Sequence, residues 1–316
     1  MNPQDTPSAG FKVGGLLYMP ALQENIADKI INKKIPCLTS VAFCLEDAIR
    51  DEAVEYAEEK LQDTLQKIAA VNAADLPLMF IRVRSAAQIG KLHRSSAYVR
   101  KLITGYILPK FDTENAAGYL NIINAINKDR RVYMMPILES RAVADIRTRR
   151  AELVALRDML DERRDTVLNV RVGVNDLCGL YGLKCPIDSP VYDIGAIRDI
   201  LADIINVFAA DYVVSAPVRN YFGKEGEAGL KRELALDKIN GFIGKTAVHP
   251  SQLPLIYDSL RVTREEYEDA TAILNWQDSR RGVAKNSAKS GMNEVNCHWR
   301  WARRVKILAD IYGVKD

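Results

Sequence analysis

The sequence predicts an α/β fold closed into a (β/α)8 barrel, with a C-terminal loop-plus-helix extension. Three observations carry this. Strand-like and helix-like segments alternate for about 250 residues, the usual size of such a barrel. The strand-like runs are short and continuously apolar, as in Val132–Glu139, VYMMPILE; parallel strands covered on both faces read this way. No glycine-rich phosphate loop follows the first of these runs, which weighs against a doubly wound open sheet.

In order, the first strand is expected at Val13–Met19, stopped by Pro20, with a short amphipathic helix at Ala21–Asn32. The second is Cys37–Leu45, ending at Glu46 and Asp47. The long helix Ala48–Val71 follows, with Ala53, Ala57, Leu61, Leu65 and Ile68 on one apolar stripe. Strand three is Leu76–Val83, holding Arg82 and followed by Arg84. A helix near Gln88–Leu102 leads to strand four, Gly105–Leu108, which ends in Pro109 and Lys110. Glu114–Ile126 is helical, and strand five is Val132–Leu138. Arg141–Leu160 reads as a charged helix, and strand six is Val167–Val174, running into Asn175 and Asp176. The loop Leu177–Asp193 is long enough to expect a functional role. Helix Ile194–Ala209, strand Tyr212–Ala216 with Pro217 and Arg219 after it, helix Gly226–Ile239 and strand Gly241–Val248 complete eight alternations. Beyond His249 come a helix at Thr263–Trp276, a polar loop at Asp278–Cys297, and a basic helix at His298–Tyr312 with Trp301, Val305, Leu308 and Tyr312 on one face. The expected division is a disordered lead over residues 1–10, a barrel over 11–260, and a lid with helical extension over 261–316.

Bulk properties narrow the class. The chain has 316 residues, 48 % of them hydrophobic, so it can bury a large core. A net charge of +3 gives no case for nucleic acid as a general partner. No stretch is long and apolar enough for a bilayer-spanning helix. The polar opening MNPQDTPSAG reads as a lead-in and not as a signal peptide. Five cysteines without CxxC spacing suggest reduced thiols and a cytoplasmic location. Three scattered histidines do not make a histidine-rich metal centre.

The predicted strand ends gather Glu46, Asp47, Arg82, Arg84, Lys110, Glu139, Asp176, Pro217, Arg219, Lys245 and His249. In a barrel of this kind such positions meet at one mouth. Glu139 and Asp176 are the candidate ligands of a Mg2+ ion, which takes oxygen donors and keeps open positions for a chelating substrate. The competing reading makes both acids helix caps beside a macrodipole. Arg82 offers a fork that matches a carboxylate, and a salt bridge to Glu46 or Asp47 is compatible with that role. Glu46 and Asp47 themselves either support the metal site and Arg82 or cap the following helix. Lys110 and Pro217 are candidate substrate contacts, with a solvated surface lysine as the default for Lys110. Arg84 reads as a surface residue, and His249 as a hydrogen-bonded structural one.

With these residues laid out, the chain resembles the citrate lyase β-subunit-like (CitE-like) group of the HpcH/HpaI aldolase superfamily. The resemblance runs through Leu17-Tyr18-Met19-Pro20, Cys44-Leu45-Glu46-Asp47-Ala48-Ile49, Ile81-Arg82-Val83-Arg84, Leu108-Pro109-Lys110, Ile137-Leu138-Glu139-Ser140 and Asp176-Leu177. It is most specific at Gly241-Phe242-Ile243-Gly244-Lys245 with His249-Pro250-Ser251-Gln252. Three departures stand out. Cys44 replaces an acid, Arg84 replaces an asparagine, and Ala-Leu-Gln-Glu-Asn after Pro20 lacks the family's glycine and basic residues that help hold coenzyme A.

The resemblance implies a TIM barrel, Mg2+ on Glu139 and Asp176, and a carboxylate on Arg82. It also implies reversible aldol- or Claisen-type cleavage, often of acyl-CoA thioesters, and a homo-oligomer, commonly a trimer. Relatives can carry a catalytic acid in the closing loop, where Glu294 stands here. The expected activity is a Mg2+-dependent carbon–carbon lyase or aldolase with Glu46, Asp47 and Arg82 as catalytic residues. Its substrate is expected to be a small hydroxy-dicarboxylate, a 2-keto acid adduct or its CoA thioester. The alternative is a barrel that binds an anionic metabolite or a partner without turnover, motivated by Cys44 and Arg84.

Overall fold

In the computed structural model, which describes residues 8–71, 75–278 and 280–315, eight strands fall close to the expected places. They are β1 (Gly15–Pro20), β2 (Ser40–Cys44), β3 (Leu78–Arg82), β4 (Gly105–Leu108), β5 (Tyr133–Leu138), β6 (Val170–Val172), β7 (Val214–Ser215) and β8 (Lys245–Ala247). The sheet order is β7-β6-β5-β4-β3-β2-β1-β8, and each neighbouring pair is parallel. A single bridge, Ala216 to Lys245, joins the two ends into a ring. Hydrogen bonds from Ile243 N to Val214 O (2.8 Å) and from Ala216 N to Gly244 O (3.0 Å) flank that seam. The fold is therefore a (β/α)8 TIM barrel.

Side chains two apart on a strand share a face, and this sets the barrel's polarity. Leu16, Ala42, Phe80, Ile107, Met135 and Ile137 form one buried apolar cluster. Two residues further on, Phe80 gives way to Arg82 and Ile137 to Glu139. The interior thus changes from oil to charge toward the carboxyl ends of the strands. Outside, the helix Val54–Val71 buries Ala57, Leu61, Leu65 and Ile68, the expected stripe without the half-buried Ala53. Burying each of those leucines and the isoleucine is worth roughly 2 kcal/mol.

Some elements differ from expectation for local reasons. The helix expected over Gln88–Leu102 is two helices, because Ser96 ends one and caps the next, its Oγ accepting from Val99 N. The Arg141–Leu160 segment likewise divides into Arg141–Ala144 and Arg149–Asp161. Strand β6 is three residues long, and the helix Val174–Leu180 starts within two residues of its end. Asp176 consequently lies in that helix's first turn. Of the expected lead over residues 1–10, residues 1–7 lie outside the described part, and residues 8–10 begin the helix Ser8–Lys12.

The chain divides into two compact units, residues 1–256 and 257–316. In the second, the helices Arg264–Leu274 and Val295–Tyr312 pack around Ala270, Ile273, Ala302, Val305 and Ala309. Thr263 starts the first helix with a reciprocal cap: its Oγ1 accepts from Glu266 N, and the Glu266 carboxylate accepts from Thr263 N. The polar segment before the last helix contains a short antiparallel hairpin, Val283–Lys285 with Met292–Glu294. Trp301, expected on the buried stripe, is 37 % exposed, because Ala302 takes the inward position. Glu294 accepts from Cys297 Sγ at 3.3 Å within this unit.

Candidate active site

A cavity of about 360 Å³ opens among the carboxyl ends of the strands. Its walls include Tyr18, Asp47, Arg82, Ile137, Glu139, Arg171 and Asp176. Both predicted metal ligands thus face one space. Glu139 follows β5 directly and is only 3 % exposed. Burial pushes its carboxyl up to about 8; the nearby Arg82 opposes the rise and the charge of Asp176 adds to it. The Lys110 backbone N–H donates to Glu139 Oε1 at 2.9 Å. Lys110 adopts a left-handed backbone, φ 50°, uncommon for a residue with a side chain.

Arg82 is the hub of the mouth. Its Nη2 lies 2.7 Å from Glu46 Oε2, 2.9 Å from Asp47 Oδ2 and 3.7 Å from Glu139 Oε1. Its plane stands over the Tyr18 ring at 5.7 Å. Burial would lower the arginine, but Tyr18, Glu139 and Glu46 beside it raise it above its ordinary range. Its buried Nε has no hydrogen-bond partner.

Glu46 and Asp47 divide the work that the sequence assigned them jointly. Burial raises the Glu46 carboxyl even with Arg82 beside it. Glu46 bonds Arg82 and Lys110 (Oε1 to Nζ, 2.8 Å) and lines a neighbouring groove rather than the cavity, so its geometry is that of a positioning residue. Asp47 does line the cavity. Partial burial would raise it, but the hydrogen bond with Glu46 and the charges of Arg82 and Lys110 bring it below the usual carboxylate range.

The remaining candidates separate. The Lys110 ammonium lies 3.3 Å from Asp47 Oδ1 and 4.0 Å from Asp176 Oδ1; it is an exposed rim cation that pairs with the site acids and lines the neighbouring groove, not the cavity. Pro217 does not meet its expected contact role: it is buried, and Val218 lines the cavity instead. Lys245 and Arg219 are not at the mouth. Lys245 is fully buried against Glu233 (2.8 Å) and Asp237 (2.9 Å), and Arg219 shares Glu233 (2.9 Å). Arg84 is no loose surface residue. It ties the 45–51 turn through Leu45 O (2.8 Å), Ile49 O and Asp51 (2.5 Å). His249 hydrogen-bonds Ser251 and stacks on Phe222, with ring centroids 4.4 Å apart.

Among the cavity residues that the sequence reading did not assign to the site are Tyr18, Gly173 and Arg171. The available signal for Arg171 was a lone charge inside an apolar strand. Gly173 makes room for Glu139, since a Cβ there would stand 1.6 Å from Glu139 Oε2.

The chain belongs to a family of C–C bond lyases of the TIM-barrel fold, whose model matches residues 8–314. Among solved structures, it is similar to a citrate lyase from Burkholderia xenovorans LB400 (16 % identity, TM-score 0.73, covering 96 % of this chain and 93 % of that one). It is also similar to CitE from Mycobacterium tuberculosis in complex with magnesium, acetoacetate and coenzyme A (18 %, TM-score 0.61, 95 % and 99 %). The citrate lyase β subunit of that organism, complexed with oxaloacetate and magnesium, matches at 17 % identity and TM-score 0.53, covering 79 % of this chain and 98 % of that one. No curated protein sequence matches the chain. Among the described residues, no helix is long and apolar enough to cross a membrane.

Proposed function

We propose that the protein is a Mg2+-dependent carbon–carbon lyase acting on a small hydroxy acid, free or as a thioester. The observation that supports this reading is the convergence of Glu139, Asp176 and Arg82 on one cavity. The two acids suit Mg2+. They offer oxygen donors only, and the charge of Asp176 adds to the cost of charging Glu139, a strain that a divalent ion relieves. Among the described residues no group of three or more histidines, cysteines or acids could hold a metal, and Mg2+ commonly needs only one or two carboxylates. The magnesium and small keto acids bound by the M. tuberculosis proteins support the same assignment.

When bound, the ion supplies Lewis-acid stabilisation for negative charge developing on substrate oxygens. The chain's own residues do the rest. Arg82, in the cavity wall, receives a substrate carboxylate and is held in orientation by Glu46 and Asp47. Asp47, kept ionised and facing the cavity, takes the proton of the β-hydroxyl. The C–C bond then breaks, its electron pair passing to the fragment that becomes the enolate, and the hydroxyl carbon becomes a carbonyl. The Lys110 backbone N–H fixes one Glu139 oxygen, leaving the other to a ligand.

The test is cleavage of hydroxy-dicarboxylates and their CoA thioesters with and without Mg2+, comparing the wild type with Glu139→Gln. Mg2+-dependent formation of a carbonyl product that the variant loses supports the lyase. Equal cleavage by both proteins overturns the metal assignment, and binding of the acids without cleavage by either favours a non-catalytic barrel.

A further inference from the structure

We propose that Arg171 forms a second anion subsite inside the barrel, which makes the substrate a diacid: one carboxylate goes to Arg82 and the other to Arg171. This rests on the lyase reading and deepens it by naming the substrate's charge.

Arg171 sits mid-strand in β6, paired in register with Ile137 of β5 and Ser215 of β7. It lies two residues before Gly173 on the same face of the strand, so it occupies the layer below Glu139. It is 1 % exposed and lines the same cavity as Arg82, Glu139 and Asp176. Its Nη2 donates to Thr246 Oγ1 at 2.6 Å and its Nη1 to Asn169 Oδ1 at 3.4 Å. Both partners are neutral. Its Nε has no partner.

The contrast with the other buried cations is the main argument. Arg82, Arg149, Arg219 and Lys245 each stand against at least one carboxylate. Among the described residues none pairs with Arg171. A buried charge is expensive unless paired, and here the neutral partners orient the guanidinium without neutralising it. An arginine held this way in the wall of a cavity, with no carboxylate of its own, fits a carboxylate that arrives with the ligand. The guanidinium fork matches that group's two oxygens.

The experiment is titration calorimetry of the full chain with pyruvate and with oxaloacetate, which differ by one carboxylate, with Mg2+ and then with EDTA. The proteins are wild type, Arg171→Gln and Arg171→Lys. The wild type is expected to prefer oxaloacetate by about tenfold or more, the worth of one charge-assisted contact. Arg171→Gln should erase that preference while its pyruvate affinity stays within about threefold, a shift smaller than any such contact. Arg171→Lys, which keeps the charge, should retain part of the preference and answers the question if the glutamine variant does not fold. A preference that persists in Arg171→Gln, is absent from the wild type, or is lost in a folded Arg171→Lys overturns the subsite. If it depends on Arg171 but not on Mg2+, the subsite stands and the metal-dependent lyase falls. Mg2+-dependent binding with no role for Arg171 gives the reverse, and binding of neither acid overturns both.

Discussion

Gly173 and Glu139 compete for one volume: a Cβ on residue 173 would lie 1.6 Å from Glu139 Oε2 and 2.6 Å from its Cβ. The glycine has φ −95°, an ordinary backbone angle, so the requirement is space and not conformation. Gly173→Ala should push Glu139 out of its seat beside Lys110 N. If Glu139 holds Mg2+ as proposed, displacing it in this way is expected to cost about 10- to 100-fold in Mg2+ affinity, as for other changes around metal ligands. Mg2+ titration of the variant checks this.

The Glu139 carboxyl, ordinarily near 4.5, is pushed up to about 8, chiefly by burial. The folded chain therefore holds a proton that the unfolded chain has already released. The wild type loses stability as pH rises through this window, whereas Glu139→Gln has nothing to release. In EDTA, the variant's melting temperature should gain on the wild type between about pH 5 and about pH 8. A constant difference across that range contradicts the assignment.

Arg82→Met leaves the buried Glu46 without its 2.7 Å partner. Breaking such a pair costs about 3–5 kcal/mol, readable as a lower denaturation midpoint. Arg82→Lys keeps the charge but not the fork, so it should be milder in stability. Its KM for the acid should still rise about tenfold or more, the worth of one charge-assisted hydrogen bond.

Burial, with the charge of Glu233 adding to it, pushes the Cys185 thiol up to about 11. Its thiolate is correspondingly scarce at neutral pH. Iodoacetamide near pH 8 should label the exposed Cys37 long before Cys185. The Cys185 rate should climb about tenfold per pH unit toward pH 11, as mass spectrometry of the labelled peptides can follow.

The site was legible where an apolar run stops on a charge. Arg82, Glu139 and Asp176 were found that way, and all three reach the cavity. The same rule failed at β8, because a strand's side chains alternate and a one-residue step moves a group from inside to outside. Thr246 faces the cavity while Lys245 points to Glu233 and Asp237. Pro217 and Val218 exchange places for a similar reason at the β7 exit. Arg171 was missed because a charge within an apolar strand has no expected direction until its neighbours are known. The helix breaks at Ser96 and after Ala144 were hidden by apolar periodicity that continues across them.

Seven of the eight joints around the ring are ladders, and the eighth is the lone Ala216 to Lys245 bridge. Local opening draws on the least-bonded part of a structure, so the amide protons of Ile243 and Ala216 should exchange with solvent sooner than those of β2 or β3. Breathing at that hinge point leaves the strands that carry Arg82 and Glu139 fastened to each other through β4. The barrel can thus loosen on one flank while the groups at its mouth hold their spacing.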